Sequence, residues 1–258
     1  MPFVNIDGIE TYYEMHGRGD TLLLLHHGFG STKIWEGIYQ PLVEHGYRAV
    51  MYDRRGFGRT EEGDDFKGFY TSDRYCSESV RELAVLTETL RIDSFHLVGQ
   101  CEGGVIAVEY ALRHPEQARS IFLSSTQCYR SRSMGELHRF VFQKSYRDME
   151  PEFREKFTRW HGEGRAEGLY NLFLNYPGGA YGPGFSDLRK VVPSIGCPAF
   201  VLYPDRSPYF EVEQGVAFYR HLPEAELAVL PHCGHNTYEH RPKEYAGYIL
   251  EFLKRHHY

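Results

Sequence analysis

Short, dense apolar runs along the chain exchange with longer stretches in which apolar residues recur every three or four positions, a pattern that predicts strands alternating with helices. Residues 4–14 read as a hairpin turning at Asp7-Gly8, because an Asp-Gly pair between alternating residues is a favoured two-residue turn. Residues 21–26 form an almost unbroken apolar run, the mark of a strand buried on both faces. Ile34, Trp35, Ile38, Leu42 and Val43 fall at helical spacing and predict a helix over 32–45, with Gly46 just past its end. A strand over 47–52, a helix over 77–90, a strand beginning at Phe95, a helix over 104–113 closed by His114-Pro115, and a strand over 121–125 follow. From about 126 to 190 the alternation stops and amphipathic helical stretches such as 134–142 and 151–160 lead into a glycine-rich run, 176–184, which reads as a hinge or a loop. It resumes with a strand over 199–203, a helix over 212–221, a strand over 226–230 and a helix over 242–255. The fold class is therefore α/β, a mostly parallel central sheet with helices on both faces. Residues 1–125 and 191–258 form the core domain and 126–190 a helical insertion.

With 258 residues, 41% of them hydrophobic and 15% aromatic, the chain is long enough for one sizeable core plus the insertion. A net charge of -6 from 29 basic and 35 acidic residues, with no basic block, gives nothing to hold a polyanion, so nucleic acid is not an expected partner. No basic segment followed by an apolar one opens the chain, and no apolar run approaches roughly 18 residues, so neither a signal peptide nor a membrane span is expected and the chain reads as cytoplasmic. Its 5 cysteines are scattered and odd in number, which argues against a disulfide framework and suits a reducing compartment. Cys128 and Cys197 read as small buried hydrophobes.

The chemistry-bearing stretch is Gly99-Gln100-Cys101-Glu102-Gly103-Gly104, where a strand ends and a helix begins. This is a G-x-C-x-G elbow: a strained turn exposes the central side chain, and small residues two positions either side let neighbouring backbone approach. The helix that follows directs its positive end at the Cys101 sulfur and favours thiolate. Glu102 acts the other way, unless its carboxylate turns toward substrate, Arg54 or Arg55.

These residues resemble the α/β-hydrolase superfamily, and the resemblance covers nearly the whole chain. His26-His27-Gly28-Phe29-Gly30 is similar to the family's oxyanion loop, and the run from Asp53 to Thr60 to its D-x-x-G-x-G turn. The strand and turn ending at Asp205 resemble those carrying the triad acid, and Gly234-His235 resembles the late turn carrying the base. The resemblance implies Cys101 as nucleophile, His235 as base in preference to His232 and His240, and Asp205 as acid in preference to Asp53, Asp187 and Glu211. It implies an oxyanion hole of the backbone N–H groups of Phe29 and Glu102, and it makes the insertion a cap over the nucleophile. Candidate pocket residues are His27, Gln100, Trp160, Tyr176 and Tyr181, while other cap aromatics such as Phe140, Phe157 and Phe173 pack the cap or line the cavity. No cofactor is implied, and no metal site is expected, since His232-Cys233-Gly-His235 lacks a spaced partner pair.

The implied reaction is two-step acyl transfer from a small, partly apolar substrate to water through an S-acyl cysteine. Thioesters, lactones and aryl esters suit it better than amides, whose poorer leaving group demands more acid catalysis. Cysteine-dependent dienelactone hydrolases share a similar elbow but generally lack such a cap. A C–C bond hydrolase, an acyltransferase, a non-catalytic ligand receptor, and a serine hydrolase whose serine was exchanged for Cys101 remain as alternatives. Substrate identity and oligomeric state are not legible.

Overall fold

A computed structural model describes residues 2–256. Its first strands, β1 (Phe3–Ile6) and β2 (Ile9–Gly17), form the expected hairpin. Asp7 and Gly8 both take positive φ, 50° and 89°, as the two central residues of such a turn must. Next comes β3 (Thr21–Leu25), every residue of which is buried. The single helix expected over 32–45 is instead a 3₁₀ turn (Thr32–Trp35) and a short α1 (Tyr39–Glu44). Gly37 lies at the break, and Pro41 has no N–H to offer and a ring that crowds the carbonyl four residues back.

The chain continues through β4 (Arg48–Tyr52), the one-turn α2 (Phe66–Tyr70), α3 (Tyr75–Thr89), β5 (Phe95–Gln100), α4 (Glu102–Arg113) and β6 (Ala118–Ser124). Between β6 and β7 it leaves the sheet for α5 (Met134–Val141), α6 (Pro151–His161) and α7 (Glu163–Asn175). A reciprocal Ser133/Glu136 capping box starts α5, and Pro151 stands in the first turn of α6. Then follow β7 (Ala199–Pro204), α8 (Glu213–His221), β8 (Ala225–Leu230), the one-turn α9 (Thr237–His240) and α10 (Pro242–Arg255).

The eight strands form one sheet in the order β1-β2-β4-β3-β5-β6-β7-β8, parallel from β4 onward and antiparallel at β1-β2 and β2-β4. Helices cover both faces, α1 packing with α10 and α3 with α4. Strand order reverses at β3, between β4 and β5, and in such sheets the crevice at the carboxyl ends of the strands beside the reversal is where ligands bind. Residues 26–30 and Cys101 stand there. The insertion is fastened over this end: the Arg165 guanidinium donates to the carbonyls of Gly56, Gly58 and Thr60 at 2.9–3.1 Å. His161 Nε2 donates to the Phe29 carbonyl at 2.9 Å while its Nδ1 accepts from the Gly58 N–H at 2.9 Å. Among the described residues no helix is long and apolar enough to cross a membrane.

The turn from β5 to α4 is tight enough that a Cβ on Gly103 would overlap the Leu25 carbonyl. Gly103→Ala is therefore expected to lower the unfolding free energy by about 1–3 kcal/mol. Gly168→Ala, in open space on α7, should leave it unchanged or raise it by up to about 1 kcal/mol. Urea denaturation of the two variants checks the contrast, and equal effects would contradict it.

Candidate active site

Cys101 caps α4 with φ 53° and ψ -113°, a left-handed conformation that costs a non-glycine residue roughly 1–3 kcal/mol. Its N–H donates to the Ser124 carbonyl at 2.8 Å, which ties the turn to β6. The sulfur accepts from the Tyr181 hydroxyl and the Glu102 N–H, contacts that favour thiolate. Burial, then the Glu102 carboxylate, outweigh them and push the thiol up to about 12. The thiol is thus protonated near neutrality.

Glu102 itself turns away to Arg54, whose two terminal nitrogens each lie 3.4 Å from one carboxylate oxygen, and it accepts the Ala180 N–H. Burial raises its pKa while Arg54 opposes the rise. Arg54 is only 2% exposed and also donates to the Tyr75 hydroxyl at 3.0 Å, whereas Arg55 faces Glu82 at 3.8 Å. Gly28 and Gly179 close over the Glu102 carboxylate, and Gly179 takes φ 71° to do so. The ion pair thereby joins the loop after β3, the start of α4 and the glycine-rich run, which packs here as a loop.

His235 stands in the turn after β8. Its carbonyl accepts from Gln100 Nε2 at 3.1 Å and Ser125 Oγ at 2.7 Å, and its ring sits edge-on to Tyr209 and Phe210 at centroid distances of 4.8 and 5.5 Å. Burial lowers its pKa to about 3, so the imidazole is neutral.

The acid expected at its Nδ1 is absent from that place. Asp205 is exposed, and its carboxylate accepts the N–H of Cys233 at 3.0 Å and that of His232, bonds that hold it below the usual carboxylate range. The group beside Nδ1 is the Ser207 hydroxyl, at 3.1 Å. Residue 205 follows β7 directly and faces the 232–233 backbone, and two further residues of turn bring the chain opposite the imidazole. Asp53, one rival, accepts from the N–H groups of Thr32 and Arg59 at 2.6 and 2.8 Å. Asp187, a second, pairs with Arg189, and Glu211 accepts from Gln214 Nε2 at 2.7 Å.

The two expected oxyanion donors also differ. The Glu102 N–H faces the sulfur, but the Phe29 N–H donates to Nδ1 of His27 at 3.1 Å, leaving His27 Nε2 to donate to the Tyr238 hydroxyl at 2.9 Å. A side chain two residues back has satisfied a main-chain donor that the motif reserves for substrate.

Cys101, His235, His27, Trp160 and Tyr181 line one cavity of about 250 Å³. Two pocket candidates lie elsewhere. Gln100 is buried beneath it, bonding His235 and accepting from Thr237 at 3.2 Å, and Tyr176 is 39% exposed with the Lys67 ammonium 3.8 Å over its ring. Phe153, Lys156, Tyr209 and Phe210 are lining residues that the motifs did not single out. Among the described residues no group of three or more His, Cys, Asp or Glu side chains is placed to hold a metal ion.

The profile of the alpha/beta hydrolase fold family matches residues 20–175. The chain belongs to that family. A proline iminopeptidase of Lactobacillus helveticus is 38% identical over 146 residues, 55% of this chain, and that match spans about half (47%) of the relative. A 2-hydroxy-6-oxononadienedioate/2-hydroxy-6-oxononatrienedioate hydrolase of Burkholderia vietnamiensis is 25% identical across 98% of this chain and 95% of its own. The enol-lactonase of Burkholderia xenovorans shares the fold, with a TM-score of 0.76 and 21% identity over 98% of this chain and all (100%) of that one.

Arg54→Met would strand the buried Glu102 carboxylate and is expected to remove about 3–5 kcal/mol of stability in urea denaturation; a loss below about 1 kcal/mol would contradict the role given to the pair. Glu102→Gln removes the negative charge beside the sulfur and should move the Cys101 titration to lower pH, read from the pH dependence of its alkylation by iodoacetamide.

Proposed function

We propose that this chain is a hydrolase of activated acyl bonds, in which Cys101 is the nucleophile and an S-acyl cysteine the intermediate. The observation that carries the reading is the Cys101 residue, held on a strained strand-to-helix turn and lining the same aromatic-walled cavity as the neutral His235 imidazole. The thiolate fraction attacks the acyl carbon, and the thiol proton leaves to water. The leaving group departs with its bonding pair, and water then cleaves the thioester with His235 in attendance. A neutral imidazole with a pKa near 3 is a weak acid–base catalyst. The reading therefore favours enolate, phenolate and thiolate leaving groups, which depart unprotonated, and disfavours amides. The Glu102 N–H supports the developing oxyanion, a donor typically worth about 3 kcal/mol of barrier. The inserted helices act as the cap that excludes bulk water, and Phe142, Phe153 and Trp160 favour an apolar acyl group of about aryl size. Free cysteines at all five positions suit a cytoplasmic setting.

The end-to-end relation to a hydrolase of an unsaturated keto acid supports a second reading, attack on a ketone carbonyl with a carbon leaving group released as a conjugated enolate.

Intact-protein mass spectrometry after mixing with aryl esters, lactones, thioesters and a vinylogous diketone separates the two. The acyl reading expects an adduct mapping to Cys101 and lost in Cys101→Ala; turnover of the diketone alone favours the second, and silence with every compound favours a ligand-binding role. Because the thiol ionises near 12, the acylation rate should rise about tenfold per pH unit between about pH 6 and 9, with no acid limb from His235. A plateau near neutrality would contradict the protonated resting thiol.

A further inference from the structure

The Ser207 hydroxyl is used more fully than a single contact with His235 suggests. Its oxygen accepts the N–H of Tyr209 and the N–H of Phe210, each at 3.2 Å, and stands 3.1 Å from Nδ1 of His235. A serine hydroxyl carries two lone pairs and one hydrogen. With both lone pairs taken by the main chain, what remains for the imidazole is the O–H. Nδ1 must then accept, and the single hydrogen of a neutral ring resides on Nε2. The structure assigns Ser207 as a positioning residue that fixes His235 in the Nε2–H tautomer, so that the ring offers the cavity a hydrogen-bond donor where a base would need a lone pair.

Nothing else around the ring opposes this choice. The titratable groups sharing its cavity are His27 from the loop after β3, Cys101 and Glu102 at the start of α4, Lys156 and Tyr170 from the insertion, Tyr181 from the glycine-rich run, and Tyr209 from the turn after β7. Of these carboxylates and cations, Glu102 is engaged by Arg54 and Lys156 by Glu239 at 3.0 Å. Among the described residues no carboxylate pairs with the His235 ring. Its carbonyl is held from below by Gln100 and Ser125, which fixes the loop without touching either ring nitrogen.

An ionised carboxylate at position 207 would reverse the tautomer, because it can only accept. It would draw the hydrogen to Nδ1 and free the Nε2 lone pair, and its several acceptor sites leave room for the N–H groups of 209 and 210. In a Ser-His-Asp protease, replacing the acid by its amide imposes the wrong tautomer and costs about 10⁴ in kcat. This consequence rests on the acyl-hydrolase reading: thiolate attack needs no lone pair on Nε2, but activation of water does, so the S-acyl intermediate accumulates in the native chain. Ser207→Asp restores the base and shortens the life of that intermediate by about 10²-fold or more.

The test is long-range ¹H–¹⁵N correlation NMR of histidine-labelled protein near neutral pH, with the His235 signals assigned by their loss in His235→Gln. The expected result is an Nε2–H ring in the parent protein and in Asp205→Asn, and an Nδ1–H ring in Ser207→Asp. An Nδ1–H ring in the parent overturns the proposal, as does a tautomer that changes with Asp205→Asn and not with Ser207→Asp. The parent spectrum decides by itself, so poor folding of a variant does not remove the test. Adduct lifetime is followed separately by mass spectrometry: absence of any adduct removes the acyl reading and leaves the tautomer result standing.

Discussion

At Cys101 the backbone takes φ 53° and ψ -113°, and the surrounding elements are arranged so that this conformation persists. The strain, roughly 1–3 kcal/mol, is held by the Ser124 carbonyl at the Cys101 N–H and by the close seating of α4 on β3, which only glycine at 103 allows. Because β3 and β5 are neighbours at the point where strand order reverses, the same turn brings Cys101 beside the loop of residues 26–30. Glu102, the next residue, then carries its carboxylate back to Arg54 and closes Gly28 and Gly179 over it. Backbone geometry, sheet order and one buried ion pair thus fix where the sulfur stands.

The electrostatic character of the site follows from its burial. Both titratable partners rest uncharged, the thiol pushed up by desolvation and by Glu102, the imidazole pushed down by desolvation. A thiolate–imidazolium pair would be favoured by a negative charge on the far side of the imidazole. The structure puts the Ser207 hydroxyl beside Nδ1 and commits the Asp205 carboxylate to the backbone of the loop that carries His235. Tyr181 and the Glu102 N–H still face the sulfur, so the proposed nucleophile is stabilised locally even though its charged form is scarce.

Much of the fold was legible because buried strands announce themselves as apolar runs and the longer helices as a period near 3.6. The sheet and α10 follow directly from those patterns. The one-turn helices α2 and α9 are too short to show a period, and the break between the 3₁₀ turn and α1 depends on Gly37 and Pro41 overriding a good apolar spacing. At the site, motif and turn located Cys101 and His235 in one cavity. Asp205 misled because a search for a triad acid looks for a carboxylate, and the turn after β7 offers only Asp205 and, six residues further on, Glu211. Ser207 lies two residues past Asp205 and is no acid, so no compositional signal marks it. The Phe29 N–H was read as free because nothing in a sequence says where the His27 ring turns. Gln100 and Tyr176 differ for a similar reason: one points under the turn, the other out from the end of α7.

The claim on which the account turns is that thiol and imidazole both rest neutral. Ultraviolet titration of thiolate absorbance, taken as the difference between the parent protein and Cys101→Ser, measures this directly. The account predicts no Cys101 thiolate signal between about pH 5 and 9, with absorbance growing only at the alkaline end where a thiol near 12 begins to ionise. A thiolate signal with a midpoint below about pH 7 would contradict it and show an ion pair with His235 in its place.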